Sequence, residues 1–106
     1  MLKIKIAKSF FSRFIGLMGK KNLPKETGLL IAPCQSIHMM FMRFSIDAVY
    51  IDKNFVIKKI VPNLKTWIGI SICTSAWGVI ELAAGEAERL NLKVGEKLTV
   101  EIVTKI

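Results

Sequence analysis

Residues 34–52, CQSIHMMFMRFSIDAVYID, constrain the fold more than any other part of this 106-residue chain. Two apolar runs, Ser36–Met42 and Ile46–Ile51, are separated by the short break Arg43-Phe44-Ser45. Apolar runs of this length, bounded by turn residues, are shorter than most helices and are typical of buried strands. The stretch therefore predicts two strands joined by a tight turn.

The same short-strand pattern recurs along the chain. Leu2–Ala7 alternates apolar residues with lysines, as a half-buried strand does, and such lysines would protect a sheet edge. Asp52–Phe55 is predicted to be a hairpin turn with Asn54 in the left-handed conformation. Further strands are predicted at Leu29–Ala32, Val56–Val61 (ended by Pro62), Ala76–Leu82 and Leu98–Val103.

Two short helices complete the predicted set of elements. Ser9 is a candidate N-cap for a helix with an aromatic face that Gly19 ends, and Ala83–Leu90 is a second helix with Asn91 as its C-cap. Asn63–Ser75 fits either a strand or a loop packed over the sheet. We therefore predict one domain over residues 1–106, mainly β: a compact β-sandwich or distorted barrel of about seven to eight short strands with two short helices.

Composition excludes several classes of protein. Apolar residues make up 52% of the chain and charged residues 23%, which excludes intrinsic disorder. The longest charge-free run, Thr66–Ile80, is broken by glycines and is shorter than the about 20 residues of a membrane span. Lys3, Lys5 and Lys8 interrupt any secretory signal. We therefore expect a cytoplasmic protein without a transmembrane segment.

The net charge is +8, and all seven cationic residues up to Lys25 precede the first acidic residue, Glu26. A basic end of this kind can mark a nucleic-acid or anionic-membrane partner. The aromatic residues follow no RNA-binding pattern, so a solvated basic face is the favoured interpretation. A basic nucleic-acid-binding protein is the less favoured alternative.

Polar residues stand in and beside the two central strands where apolar residues would be expected. Asp47 lies near the start of its strand, close to Arg43 and His38, and Glu81 can reach the same end from another strand. Arg43, Asp47, Glu81 and His38 therefore predict a small polar recess, in which the guanidinium fork of Arg43 binds a carboxylate or phosphate. A structural Arg43–Asp47 pair that braces the turn is an equally good interpretation.

Cys34 and His38 are the candidates for catalysis. A neighbouring histidine lowers the pKa of a thiol and makes it a nucleophile, so either residue with Asp47 or Glu81 would suit a small hydrolase-like enzyme. No signature of a cysteine enzyme surrounds Cys34, so a buried thiol is the favoured interpretation. No paired spacing such as His-x-x-x-His occurs, so neither a metal site nor another cofactor is predicted.

The two cysteines, Cys34 and Cys73, form neither a Cys-x-x-Cys pair nor a dense disulfide framework. In a reducing compartment both are expected to be buried thiols. A bridge between them is open only if the strands that carry them are neighbours.

Five segments occur in the order seen in one known family. They are Phe14–Gly19 (FIGLMG), Gly28–Ile31 (GLLI), Ile37–Asp47 (IHMMFMRFSID), Tyr50–Asp52 (YID) and Val79–Gly85 (VIELAAG). Together they resemble the widespread prokaryotic family catalogued as domain of unknown function 192. The resemblance covers essentially the whole chain and implies a compact β-rich, sandwich-like domain with short helices.

The family has no assigned activity, so the resemblance implies no catalytic residue. The polar positions that mark the family correspond here to Arg13, Arg43, Asp47, Asp52 and Glu81. The chain departs from the family pattern at Ser45 and Ala83, where proline is usual. The leading hypothesis is a non-enzymatic binding or accessory domain for a small anionic ligand or a peptide end, with the enzyme and the nucleic-acid binder as alternatives.

Overall fold

The computed structural model describes residues 2–7, 27–38, 45–65 and 69–105. Within these ranges the elements are β1 (Leu2–Ala7), β2 (Thr27–Ile31), β3 (Ser36–His38), β4 (Ile46–Ile51), β5 (Ile57–Leu64), β6 (Ile70–Ile72), β7 (Gly78–Ala83), α1 (Glu86–Arg89) and β8 (Val100–Lys105). The mainly β prediction is confirmed. The predicted helix that follows Ser9 lies outside the described residues, and no helix within them is long and apolar enough to cross a membrane.

Six strands form one mixed sheet in the order β5-β4-β7-β2-β1-β8. Strand β1 runs parallel to both of its neighbours, β2 and β8, whereas the other pairs are antiparallel. The alternating segment at residues 2–7 is thus a strand as predicted, but its lysines do not protect an edge, because β1 lies inside the sheet.

The remaining two strands, β3 and β6, pair antiparallel as a separate two-stranded ribbon. The two central strands, which were predicted to be joined by a tight turn, do not pair with each other in the described residues, since β3 belongs to the ribbon and β4 to the large sheet. The reason lies in β4, whose six residues are all buried and which pairs with β5 on one side and β7 on the other. No open edge of β4 remains for β3.

The large sheet buries both of its faces. The face that packs against β3 and β6 is called the ribbon face. Its buried cluster joins residues of the sheet to residues in or next to the ribbon. The sheet residues are Leu29, Ile31, Ile46, Ala48, Tyr50, Leu64, Val79 and Ala83, and the ribbon residues are Ile37, Cys73 and Ala76. The helix face packs against α1, and its cluster comprises Leu2, Ile4, Leu30, Val49, Ile51, Ile57, Ile80, Leu82, Ala87 and Leu98. Successive strand residues alternate between the two faces, and each fully buried aliphatic side chain contributes about 1.5–3 kcal/mol.

The turn after β4 forms as predicted, but its left-handed residue is Phe55 (φ 63°) rather than Asn54. The side chain of Asp52 explains the difference, because its Oδ1 accepts hydrogen bonds from the amides of Asn54 (2.8 Å) and Val56 (3.0 Å). These bonds fix the backbone as far as Asn54, so Phe55 is the residue that takes the left-handed conformation. The Val56 amide also lowers the pKa of the Asp52 carboxyl below its usual value.

Strand β5 was predicted to end before Pro62, yet it continues to Leu64. A proline is accommodated because β5 is an edge strand, where its missing N–H faces no neighbour. The β4–β5 ladder shifts register here: Ile46 pairs with Leu64, and Ala48 pairs with Val61. This bulge sits opposite Asp47.

Helix α1 is shorter than predicted: it ends at Arg89, and Leu90 is its C-cap. Asn91 follows in the left-handed conformation (φ 56°), and its amide donates to the carbonyl of Glu88 (2.9 Å). The predicted stop at Asn91 is thus found one residue after the cap.

Candidate functional site

Asp47 binds three backbone amides and is 1% exposed. Its Oδ1 accepts the N–H of Asn63 at 2.8 Å, and its Oδ2 accepts the N–H groups of Gly85 at 3.0 Å and Ala87 at 2.9 Å. Asn63 lies in the bulge of β5, with φ 51°, and Gly85 is the N-cap of α1, with φ 93°. One carboxylate therefore fastens both the bulge and the start of α1 to β4.

These contacts use most of the hydrogen-bonding capacity of Asp47. A carboxylate offers about four lone-pair sites, and three of them here meet main-chain donors. The contacts are those of a brace, and they run to the backbone rather than to an arginine. Asp47 shapes the turns at this end of the sheet.

Glu81 is completely buried (0% exposed) in the middle of β7. It lies between Ala48 of β4 and Leu29 of β2 in the ladder. Both of these residues belong to the ribbon face, as do Val79 and Ala83 on either side of Glu81 along the strand. Glu81 therefore projects from the ribbon face, among small and aliphatic side chains.

Asp47 and Glu81 lie on opposite faces of the sheet. Asp47 pairs with Leu82, a helix-face residue, and its side chain reaches the amide of Ala87 in the same cluster. Asp47 and Glu81 occupy neighbouring positions of the β4–β7 ladder, as expected for residues at the same end of the sheet, but their side chains project from opposite faces rather than into one recess. Of the two, only Glu81 shares a face with the ribbon.

Tyr50 joins the ribbon to the sheet. Its ring is fully buried, and its hydroxyl forms a 2.7 Å hydrogen bond with the hydroxyl of Ser71 in β6. Burial raises the pKa of Tyr50 above its ordinary value of 10.0; the bond with Ser71 and a backbone hydrogen bond with Ile37 oppose the shift. A neutral phenol thus links β4 to both ribbon strands.

Sequence reasoning missed the Tyr50–Ser71 pair, although a signal for part of it was present. Tyr50 is the only tyrosine of the chain and stands in an otherwise apolar strand. A buried tyrosine usually finds a partner for its hydroxyl, so a partner was to be expected. Nothing local pointed to Ser71, which is 21 residues away along the chain.

Cys34 and Cys73 both pack in the ribbon-face cluster, Cys34 half-buried and Cys73 9% exposed. No disulfide joins them. The thiol of Cys34 contacts the carbonyl oxygen of Ser36 at 3.0 Å, and that of Cys73 contacts the hydroxyl of Ser75 at 3.5 Å. Neither cysteine lies in a strand, but Cys34 precedes β3 by two residues and Cys73 directly follows β6, and these two strands are neighbours.

Of the other two predicted site residues, the structure describes only the backbone of His38. His38 ends β3 opposite Ile70 of β6, while its side chain lies outside the described part of the chain. Arg43 lies outside it altogether, as does Arg13. Within the described residues, no three histidine, cysteine, aspartate or glutamate side chains are arranged to hold a metal ion.

In the described residues the chain forms a small β domain. A two-stranded ribbon covers one face of a six-stranded mixed sheet, and a one-turn helix covers the other. The family model of domain of unknown function 192, described as an uncharacterized ACR, matches residues 1–100. The chain belongs to this family, as its sequence motifs indicated.

Two archaeal relatives carry equally general names. The UPF0127 protein of Thermococcus sibiricus is 32% identical over an aligned length of 108 positions. The alignment covers 94% of this chain and 67% of the relative. The UPF0127 protein PH1112 of Pyrococcus horikoshii is 35% identical over 101 residues, with 91% and 85% covered.

Two solved structures share the fold. A protein of unknown function from Novosphingobium aromaticivorans superposes with a TM-score of 0.76 at 21% identity, covering 89% of this chain and 71% of its own. A protein described as a putative transcription regulator from Sinorhizobium meliloti superposes with a TM-score of 0.78 at 22% identity, covering 91% and 79%. At this identity the likeness concerns the fold alone.

Proposed function

We propose that this chain is a non-enzymatic binding or accessory domain that takes a small anionic ligand or the carboxyl end of a peptide at the ribbon face. In this proposal Arg43 contacts the anion, and Glu81 holds the guanidinium in position. The observation that carries the proposal is the complete burial of Glu81 on that face. A buried carboxylate is costly without a cationic partner, and arginine can pair with it while presenting further N–H donors to a second anion.

The length of chain available supports the choice of Arg43. Arg43 precedes Ile46 by three residues, and Ile46 pairs with Ala83, two residues from Glu81 on the same face. An extended chain spans at most about 3.6 Å per residue, so three residues give a reach of up to about 11 Å from Ile46. His38, at the end of the ribbon strand β3, is the third polar residue that we assign to the site.

Asp47 has a different part in this proposal. Its three bonds to main-chain amides fix the bulge of β5 and the first turn of α1, directly after the segment that contains Arg43. We therefore treat Asp47 as a positioning residue that does not touch the ligand.

The described contacts do not support one of the catalytic pairs that the sequence suggested, Cys34 with Asp47. The thiol of Cys34 contacts a main-chain oxygen, and Asp47, one of the acids considered for catalysis, lies across the sheet from Cys34. A catalytic base must lie within hydrogen-bond reach of its nucleophile, directly or through one water. Asp47 does not meet this requirement toward Cys34.

The test is thermal unfolding in the presence of three probes: inorganic phosphate, an acetylated tetrapeptide with a free carboxyl end, and the same peptide as its amide. We expect the Tm of the unmodified protein to rise with phosphate or the free-carboxyl peptide and not with the amide. Arg43→Met is expected to abolish the rise, because it removes the anion contact. Lys93→Met, which removes an exposed cation elsewhere, is the matched control and should keep the rise.

Glu81→Gln separates a binding role from a structural one. Removing one member of a buried charge pair that serves only stability costs about 3–5 kcal/mol. If Glu81→Gln and Arg43→Met both show losses of that size, and no probe shifts the unmodified protein, then the two residues brace the fold and the proposal is wrong.

A further inference from the structure

Cys34 lies just before β3 and Cys73 just after β6, and hydrogen bonds connect the two short segments that carry them. The amide of Cys73 donates to the carbonyl of Gln35 at 2.7 Å, and the side-chain amide of Gln35 donates to the carbonyl of Thr74 at 2.8 Å. The amide of Cys34 donates to the carbonyl of Trp77 at 2.9 Å. Both cysteines are thus held in a fixed backbone frame.

The ribbon register brings the two cysteines close together. Ser36 pairs with Ile72, so Gln35 stands opposite Cys73, and Cys34 is displaced from Cys73 by one residue. Both cysteines lie just outside the paired strands, Cys34 two residues before β3 and Cys73 directly after β6, so the strict alternation of faces within β3 and β6 does not apply to them. A disulfide requires Cα atoms about 4.4–6.8 Å apart and Cβ atoms that point towards each other.

The side chains of both cysteines also meet the same neighbours. Each packs in the ribbon-face cluster that contains Tyr50, and each is close enough to act electrostatically on the Tyr50 hydroxyl. Their exposure differs: Cys34 is half-buried and therefore within reach of solvent, whereas Cys73 is buried. A partly exposed outer thiol with a buried second thiol in the same cluster is the arrangement of a cysteine and its resolving partner.

We propose that Cys34 and Cys73 form a two-thiol oxidation site, which a small-molecule disulfide converts to an intramolecular Cys34–Cys73 disulfide. The thiolate of Cys34 attacks one sulfur of the reagent RSSR, which gives a mixed disulfide and releases RS⁻. The sulfur of Cys73 then attacks Sγ of Cys34, which releases the second RS⁻, and the two thiol protons leave with the two RSH molecules. The cysteines are oxidised, and the reagent is reduced. This chemistry does not depend on the ligand proposed above.

The experiment exposes the full chain to excess oxidised glutathione, followed by alkylation, intact-mass measurement and non-reducing peptide mapping. We expect both thiols to disappear together with a mass loss of two hydrogens and no bound glutathione. The map should show the peptides of residues 34 and 73 joined. Closing this loop should raise the Tm by about 5–10 °C, because it restricts the unfolded chain.

Two single variants test the order of attack. Cys73→Ser removes the resolving thiol, so Cys34 should keep a stable mixed disulfide with glutathione. Cys34→Ser removes the accessible thiol, so Cys73 should stay reduced and the Tm should not respond to the reagent. A stable glutathione adduct on the unmodified protein, a disulfide-linked dimer, or two unreacted thiols would each overturn the proposal.

Discussion

At the scale of single residues, Asp47 and Asp52 show how the same side chain stabilises two different turns. Asp47 is buried and uses both carboxylate oxygens, whereas the side chain of Asp52 is 28% exposed and accepts its two amide bonds with one oxygen. An amide can replace a carboxylate that accepts its hydrogen bonds with a single oxygen, as Asp52 does; its other oxygen forms a partly exposed ion pair with Lys58 at 3.8 Å. An amide cannot replace a carboxylate that uses both oxygens, because its nitrogen is a donor.

Asp47→Asn is therefore expected to lower the free energy of unfolding by about 3 kcal/mol. The new NH₂ group would face at least one backbone amide that has lost its acceptor, and hydrogen bonds to charged groups contribute about 1.5–3 kcal/mol each. Denaturant unfolding measures the loss, with Asp52→Asn as the control. Asp52→Asn should lose much less, because the amide oxygen can still accept from Asn54 and Val56. Equal losses in the two variants would contradict the assigned role of Asp47.

Because of Tyr50, the free energy of unfolding is expected to fall at alkaline pH. Burial raises its pKa in the folded protein, so above about pH 10 the unfolded chain loses the phenolic proton while the folded chain keeps it. The stabilising contribution is complete below the unfolded pKa and is lost as pH rises towards the folded pKa. The unmodified protein should accordingly lose stability more steeply than Tyr50→Phe between about pH 9 and pH 11.

Denaturant unfolding at several pH values compares the two slopes. Because Tyr50 is the only tyrosine, the ultraviolet absorbance of tyrosinate reports its ionisation directly. At neutral pH, Tyr50→Phe should already cost about 1 kcal/mol, since Ser71 loses its hydrogen-bond partner in the core. Parallel slopes for the two proteins would show that Tyr50 ionises equally easily in the folded and unfolded states.

At the scale of elements, the ribbon of β3 and β6 depends on the sheet for its structure. Its described residues form three pairs, and two-stranded ribbons of that size are not stable alone in water. Ile37 packs into the sheet, Ser71 bonds to Tyr50, and Nζ of Lys59 in β5 donates to the carbonyl of Ile72 at 2.9 Å. Among the described residues β6 pairs only with β3, and the lysine covers part of its other edge.

Gly28 within β2 and Gly85 at the start of α1 are each required to be glycine, but for different physical reasons. A Cβ at Gly28 in β2 would lie 2.6 Å from Cγ2 of Ile80, whereas a Cβ at Gly85 would meet nothing within 4 Å but would require φ 93°. Gly28→Ala should therefore cost about 1–3 kcal/mol through overpacking. Gly85→Ala should cost about 1 kcal/mol through the left-handed backbone.

Asparagine substitutions distinguish the two causes, and denaturant unfolding measures all four variants. Asparagine tolerates the left-handed region better than alanine but is larger. Gly85→Asn should therefore cost less than Gly85→Ala, and Gly28→Asn should cost more than Gly28→Ala. The same rank order at both positions would refute the distinction.

At the scale of the whole molecule, local pattern predicted the strands and could not predict how they pair. Alternation at Leu2–Ala7 and the apolar run Ile46–Ile51 depend on burial of near neighbours, and both strands were found where expected. The register that places Ala48 opposite Glu81, and so separates Asp47 from Glu81, depends on contacts more than 30 residues apart along the chain. The same holds for Pro62, whose position inside a strand is allowed only because β5 lies at the sheet edge.

The parallel pairing of β1 with β8 has a consequence for how the chain is made. Residues 2–7 are synthesised well before residues 100–105, so the side of β1 that pairs with β8 has no partner until β8 has been made. Pairings between such distant segments slow folding, because a long loop must close before the contact forms. Until then the nascent chain exposes an unpaired strand edge, and completion of β8 covers it.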